Sequence, residues 1–153
     1  MSELAVNKLE SSATSETAII RVLEATHPVS VEEIATLSDG TIVQLRKLKI
    51  PGEPDLFAKL AGLFRATSLE AIATLADAFK CADLKKAATI CHKLKSSTAN
   101  IGALVFSREV RRLESLCLNA EGEAAQELFC ELKIAHAMLL ENLSKVVSQK
   151  DAA

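Results

Sequence analysis

Residues 83–103 read DLKKAATICHKLKSSTANIGA, and the spacing of apolar side chains in this stretch decides the fold. At about 100° per residue, Leu84, Ala87, Cys91, Leu94, Thr98 and Ile101 fall on one stripe, the pattern of a helix that buries one face. Asp83 is a plausible N-cap, and Gly102 interrupts the helix just after Asn100. His92 lies more than about 100° round from the centre of the stripe, on the solvent side. Its neighbours three and four positions away are Ala88, Thr89, Lys95 and Ser96, with Lys85 and Ala99 one turn further out. The imidazole is therefore expected to stand among small side chains and lysines.

The same period continues on both sides. Pro54, at a first helical position, opens a segment to about Lys80 that keeps Leu56, Leu60, Leu63, Phe64, Ala71, Leu75 and Phe79 in helical register. A third helix is predicted from Ala103 to Leu118. The turn Asn119-Ala120-Glu121-Gly122 leads to a fourth from about Glu123 to Val147, with Leu128, Leu132, Ala135, Leu139, Leu143 and Val146 on one stripe. Four long amphipathic helices joined by short turns must run antiparallel, because a short loop cannot return the chain to its starting end. The expectation is an all-α, up-down-up-down four-helix bundle with short additional N-terminal helices.

Those shorter helices come before Pro51-Gly52-Glu53-Pro54, a firm break. Ser30 with Glu33 forms a capping box for one, Asp39-Gly40 makes a turn, and Thr41 to Leu48 forms another. Residues 1–29 differ in composition: a small polar run around Ser11 and Ser15, then Ala18 to Ala25 as two helical turns stopped by His27-Pro28. They read as a linker or flexible arm, with the functional domain at 30–148 and a disordered tail at 149–153.

Composition agrees with an all-α class. Hydrophobic residues make up 49% of the 153-residue chain and aromatics 3%, too few for the aromatic and β-branched strands of a sandwich or barrel. The net charge of −2 gives no bulk electrostatic reason to expect nucleic acid. No apolar run reaches the roughly 18 residues of a membrane span, and no signal-peptide pattern opens the chain. Cys81, Cys91, Cys117 and Cys130 lack C-x-x-C spacing and read as reduced, largely buried thiols of a cytoplasmic protein. His27 reads as loop and His136 as a partly buried packing residue. The three histidines are too far apart for H-x-x-x-H ligand spacing, so no metal site and no cofactor are expected.

A lone surface histidine on a helix is usually no more than a solvated residue, and geometry alone does not single out His92. The chemistry of its surroundings is still apt for a nucleophile. Imidazole in water is mostly neutral near pH 7, so one ring nitrogen carries a free electron pair. Ala88, Ser96 and Ala99 leave room for a partner to approach, and Lys95 can offset a negative charge added to the ring.

The string His92-Lys93-Leu94-Lys95-Ser96-Ser97-Thr98-Ala99-Asn100-Ile101-Gly102-Ala103 resembles the signature of the histidine-containing phosphotransfer family, H-x-L-K-G-S-S/A-x-x-x-G-A. The likeness extends to the apolar pair Leu63-Phe64 upstream, to Asp83 before the histidine helix and to Leu113-Glu114 on the next helix, covering about Val31 to Val147. The resemblance implies a helical bundle that carries phosphate without an ATP site. His92 matches the phosphoacceptor, Lys95 the residue that contacts the phosphoryl group, and Gly102 the small residue that closes the motif. Lys85, Ala88, Thr89, Lys93, Ser96, Ala99 and Gly102 are the expected docking surface. One departure stands out: the family commonly has Gly four residues after the histidine, where this chain has Ser96.

By the same resemblance the partners are response-regulator receiver domains, which supply Mg²⁺, carboxylates and a lysine of their own for in-line transfer. Neither nucleic acid nor direct membrane contact is expected, and the isolated domain is expected to be monomeric. A sensor-kinase dimerisation domain places Glu or Asp directly after its histidine and Pro five residues on, where Lys93 and Ser97 stand here. No P-loop or Gly-rich ATP lid is present. Arg108, Arg111 and Arg112, interleaved with Glu109 and Glu114, read as a solvated, ion-paired face. The pattern is that of the C-terminal phosphotransfer domain of a bacterial hybrid sensor kinase, cytoplasmic or tethered to the inner membrane through the larger protein. The alternative is a non-catalytic helical adaptor.

Overall fold

A computed structural model describes residues 29–48, 51–53 and 55–152, with side chains described as far as Gln149. The expected linker and the helix from Ala18 to Ala25, with His27, lie outside the described residues. Within the compact unit Val31–Ala153 the elements are α1 (Val31–Ile34), α2 (Asp39–Lys47), α3 (Leu56–Lys80), α4 (Leu84–Asn100), α5 (Leu104–Leu118) and α6 (Gly122–Ala152). No strand occurs among the described residues.

Side-chain pairs fix how the long helices run. From α3 to α6, Arg65 donates to the Leu140 carbonyl and to Ser144 Oγ, Ser68 meets His136, and Phe79 stacks on Phe129 with ring centroids 4.9 Å apart. Rising numbers on one helix meet falling numbers on the other, so the two are antiparallel. Helices α4 and α5 pair the same way, Lys95 with Glu114 and the Ala103 N–H with the Thr98 carbonyl. Helix α4 also packs on α3, and α5 on α6, which closes the ring of four.

The three turns of the bundle use the left-handed region: Ala82 at φ 53°, Gly102 at φ 92° and Ala120 at φ 58°. At the α4–α5 turn, the Gly102 N–H donates to Ala99 O and the Ala103 N–H to Thr98 O, the paired bonds of a Schellman ending. A Cβ on Gly102 would lie 3.2 Å from Thr41 Cβ, so the position needs glycine for both conformation and space. Asp83 caps α4 as the sequence predicts, its Oδ1 accepting from the Lys86 N–H at 3.0 Å.

Helices α1 and α2 close one end of the bundle. Asn142 donates to Ala35 O, Arg46 to Val146 O, and the Ser38 N–H to Gly102 O at 2.8 Å. The core between the helices is aliphatic with a few aromatic rings, and Phe57, Phe106, Leu75, Leu113, Leu132 and Leu139 are at most 1% exposed. Each such side chain contributes about 1.5–3 kcal/mol by leaving water. This burial, more than helix propensity, holds α4 rigidly enough to present a side chain in a fixed place.

Several sequence expectations are corrected. Asp39-Gly40 is not a turn but the first turn of α2, because Ser38 Oγ accepts the Thr41 N–H and caps the helix two residues early. Helix α3 begins at Leu56 behind an Asp55 N-cap; Pro54 itself lies outside the described residues. Leu63, assigned to the core, is 61% exposed, while Phe57 beside Leu56 is buried. Helix α6 continues to Ala152, across most of the expected tail. Of the four thiols only Cys91 and Cys117 are buried; Cys81 and Cys130 face solvent, and all four are free.

Candidate histidine site on α4

The site begins at the α4–α5 seam, where packing is closest. Ala87, Ala88 and Cys91 on α4 and Ala103 before α5 are small and buried, which lets the two backbones approach. The Lys95 carbonyl accepts both Thr98 Oγ1 and Ser107 Oγ at 2.8 Å, pinning α5 against α4 one turn from His92. These contacts set the height of Glu114 relative to the imidazole.

His92 stands on the outer surface with its side chain 71% exposed. Nδ1 lies 2.9 Å from Glu114 Oε2, and Lys95 Nζ lies 3.3 Å from Oε1 of the same carboxylate. One carboxylate, itself only 14% exposed, thus holds a histidine and a lysine from the neighbouring helix. A carboxylate accepts, so Nδ1 carries the hydrogen in this contact; whenever the ring is neutral its electron pair is on Nε2, at the other end of the exposed ring. The arrangement can deliver a nucleophilic nitrogen of defined tautomer to an electrophile brought in from solvent.

Among the other expected site residues, Lys85, Thr89, Lys93 and Ser96 are exposed around His92, and Ala99 is half-buried. Two are corrected. Ala88 is only 4% exposed, because α4 packs against α3 on one flank and α5 on the other and its buried sector is wider than the single apolar stripe. Gly102 is buried in the turn under Thr41, so it acts on the site through the backbone and not as a surface for a partner. Lys93 lies on the opposite flank of α4 from Glu114. It is on the rim of an apolar groove of about 530 Å³ between α3 and α4, lined by Leu63, Phe64, Ile90 and Leu94 among others.

Glu114 is the residue that helix-by-helix reading misses. Its signal is the Leu113-Glu114 pair: Leu113 is fully buried, which turns the next side chain toward the seam edge. Nearby, burial pushes the Cys91 thiol up to about 12, with Cys117 and the Glu114 charge adding to the effect. It stays a protonated packing group beside His92 rather than a competing nucleophile.

The second described histidine has a different environment. His136 is 3% exposed, its Nε2 is 2.7 Å from Ser68 Oγ, and its ring packs between Phe64 and Phe106. Burial, with a smaller contribution from Arg65, lowers its pKa to about 4. It is a neutral core residue, more fully buried than its sequence position suggests. Among the described residues no group of three or more His, Cys, Asp or Glu is placed to hold a metal ion, and no helix is long and apolar enough to cross a membrane.

The described residues form an all-helical bundle that holds one histidine outward, with Nδ1 bonded to a carboxylate of the next helix. A family model, the Hpt domain, matches residues 59–147, and the chain belongs to the Hpt domain family. The family carries out histidine phosphotransfer in two-component phosphorelays and works with response-regulator receiver domains. Comparisons with curated proteins and with solved structures return no match.

Proposed function

We propose that His92 Nε2 is the phosphoacceptor of this chain, taking a phosphoryl group from the aspartyl phosphate of one receiver domain and passing it to another. The observation that carries the reading is the Nδ1 contact to Glu114 at 2.9 Å, which leaves Nε2 outermost on a side chain 71% exposed. In the forward step the Nε2 electron pair forms the N–P bond as the P–O bond to the receiver's carboxylate breaks, and that carboxylate keeps the bonding pair. Positive charge develops on the ring as Nε2 is consumed. The Glu114 carboxylate, bonded through the Nδ1 hydrogen, stabilises that charge where it forms.

Lys95 starts the step paired with Glu114 and is one turn from His92, within reach of a phosphoryl group on Nε2. Its ammonium can turn to the roughly −1.5 to −2 charge of that group. The receiver supplies the Mg²⁺ and the carboxylates that hold it. Ser96 takes the position where the family commonly has Gly, and its hydroxyl offers a hydrogen bond to phosphate. Lys85, Thr89, Lys93 and Ala99 belong to the surface that a receiver covers. The small polar run from Ser11 to Glu16 has linker composition, which suits a place behind a linker in a cytoplasmic hybrid sensor kinase.

Incubation with a panel of phosphorylated receivers tests the reading. Radiolabel should appear on this chain, survive alkali, be lost in acid and be absent in His92→Gln. Receiver binding without transfer, at unchanged affinity in His92→Gln, would instead identify a non-catalytic adaptor.

A further inference from the structure

The family match begins at residue 59, so α1 and α2 lie outside it. Both are nevertheless anchored on the bundle. Ile34 and Ala35 are fully buried and Ile42 nearly so, with α1 packed on α5 and α6 and α2 packed on α3. Polar bonds tie the same elements. Asn142 of α6 donates to Ala35 O at 3.0 Å, while Arg46 donates to Val146 O at 2.8 Å and lies over the Phe57 ring, 3.7 Å from Asp55.

Between these anchors the chain meets the α4–α5 turn. The Ser38 N–H donates to Gly102 O at 2.8 Å, and Thr41 packs on Gly102 so closely that an added Cβ there would lie 3.2 Å from the threonine Cβ. Ser38 Oγ in turn accepts from the N–H and the hydroxyl of Thr41, so the two residues act as one block. That block abuts the point from which both halves of the histidine site hang, since Gly102 follows His92 by ten residues and precedes Glu114 by twelve. Helices are stiff, so a slide of α5 along α4 at the turn reaches Glu114 undiminished. About 1 Å is enough to take the 2.9 Å contact with His92 out of hydrogen-bond range. Ser107, bonded to the Lys95 carbonyl, opposes such a slide at one height within the pair. Helices α1 and α2 fix the turn itself against α3 and α6.

We infer that α1 and α2 are a strap across the end of the bundle, and that Ser38 and Thr41 are positioning residues for phosphotransfer, holding the α4–α5 turn so that Glu114 stays level with His92. The inference rests on the phosphoacceptor role proposed for His92. The strap touches neither phosphate nor receiver. It acts through the Glu114 contact, and so on the reactivity of the imidazole toward any phosphoryl donor.

The test uses the full chain. Ser38→Pro removes the N–H and suits the backbone there, at φ −81°. Ser38→Ala loses the same capping hydroxyl but keeps the N–H, so the difference between the two variants isolates the bond to Gly102. Asn142→Asp severs the strap from α6 by replacing the donor to Ala35 O with an acceptor, and it decides alone if Ser38→Pro unfolds. Phe129→Leu, stacked against Phe79 away from the strap, is the control for lost stability. Three quantities are read: labelling by phosphoramidate, transfer from the fastest receiver of the panel, and the fraction of His92 carrying Nδ1–H, by nitrogen NMR near about pH 8.5, where imidazole is neutral.

Ser38→Pro should react about fivefold more slowly than Ser38→Ala with both donors and carry less Nδ1–H. Asn142→Asp should show the same losses against wild type, and Phe129→Leu should stay within about twofold of it. In a Glu114→Ala background, Ser38→Pro should slow transfer by less than about twofold more, because the contact it acts through is already gone. Matching rates and Nδ1–H fractions in Ser38→Pro and Ser38→Ala, or wild-type values in Asn142→Asp, would overturn the assignment. So would slowing with the receiver alone, the mark of a docking surface, or an equal loss in Phe129→Leu, the mark of lost stability. If wild type takes label neither from phosphoramidate nor from any receiver, the phosphoacceptor reading itself falls, and this inference with it.

Discussion

Glu114 Oε2 sits 2.9 Å from His92 Nδ1 while its other oxygen holds Lys95 Nζ at 3.3 Å, so a single α5 carboxylate engages two side chains of α4. Glutamine at this position can still accept from Nδ1 but cannot offset charge on the ring. Glu114→Gln is expected to slow transfer about tenfold, the factor of about 1.4 kcal/mol in the barrier. Glu114→Ala also frees the ring to rotate and should cost about a hundredfold. Single-turnover transfer rates decide this, and an alanine variant that transfers at the wild-type rate would remove Glu114 from the mechanism.

Ser96 is exposed one turn beyond His92 on the same side of α4. Ser96→Leu should melt within about 1 kcal/mol of wild type, as solvent-facing substitutions do. It should nevertheless transfer at least about tenfold more slowly from a receiver, because the larger side chain crowds the approach to Nε2. Equal transfer rates in the two proteins would refute the clearance argument.

The buried His136 makes stability depend on pH. Its pKa is about 4 in the folded chain and near 6.5 when exposed, so between these values the unfolded state binds more protons. Stability contributed by the neutral ring is complete above about pH 6.5 and falls as pH drops toward 4, by on the order of 3 kcal/mol in all. Urea unfolding at pH 7, 6 and 5 should show this slope in wild type and a shallower one in His136→Gln, which can still bond Ser68. Parallel slopes would mean that His136 does not titrate as its burial requires.

Gly102 combines φ 92° with a close approach to Thr41. Gly102→Ala should destabilise the fold by about 1–2 kcal/mol, from the left-handed strain together with the 3.2 Å contact. Because the same turn sets the register of α4 against α5, receiver transfer should weaken as well. A melt unchanged from wild type would contradict both effects.

Ala82 and Ala120 hold the same left-handed conformation at the other two turns without the glycine that suits it. Ala82→Gly and Ala120→Gly should each stabilise by about 0.5 kcal/mol, the relief of strain outweighing the extra entropy of the unfolded chain. Chemical denaturation would detect the pair combined, and a loss of stability in the double variant would show that the turns are not strained.

The amphipathic period of residues 83–103 is enough to place α4 from its Asp83 cap to its Gly102 ending, because both signals act within a few residues of chain. It is also enough to turn His92 outward, since the rotation per residue is fixed by backbone hydrogen bonding. The family signature could be read for the same reason: it is a local string. What the sequence could not supply was the width of each buried face. Leu63 is exposed and Ala88 buried because the flanks of α3 and α4 are settled by which neighbour lies alongside, not by the residue's own hydrophobicity.

Local sequence therefore determined an all-helical chain with one histidine on the open side of a lysine-bearing helix. The tertiary structure alone decided which ring nitrogen faces outward, because the group that orients the ring lies 22 residues away on another helix. It also decided that His136, of the same residue type, is a neutral core group beside Ser68, 68 residues distant. Contacts at such separations depend on how helices pack, and packing is set by the summed fit of many side chains, which no single segment encodes.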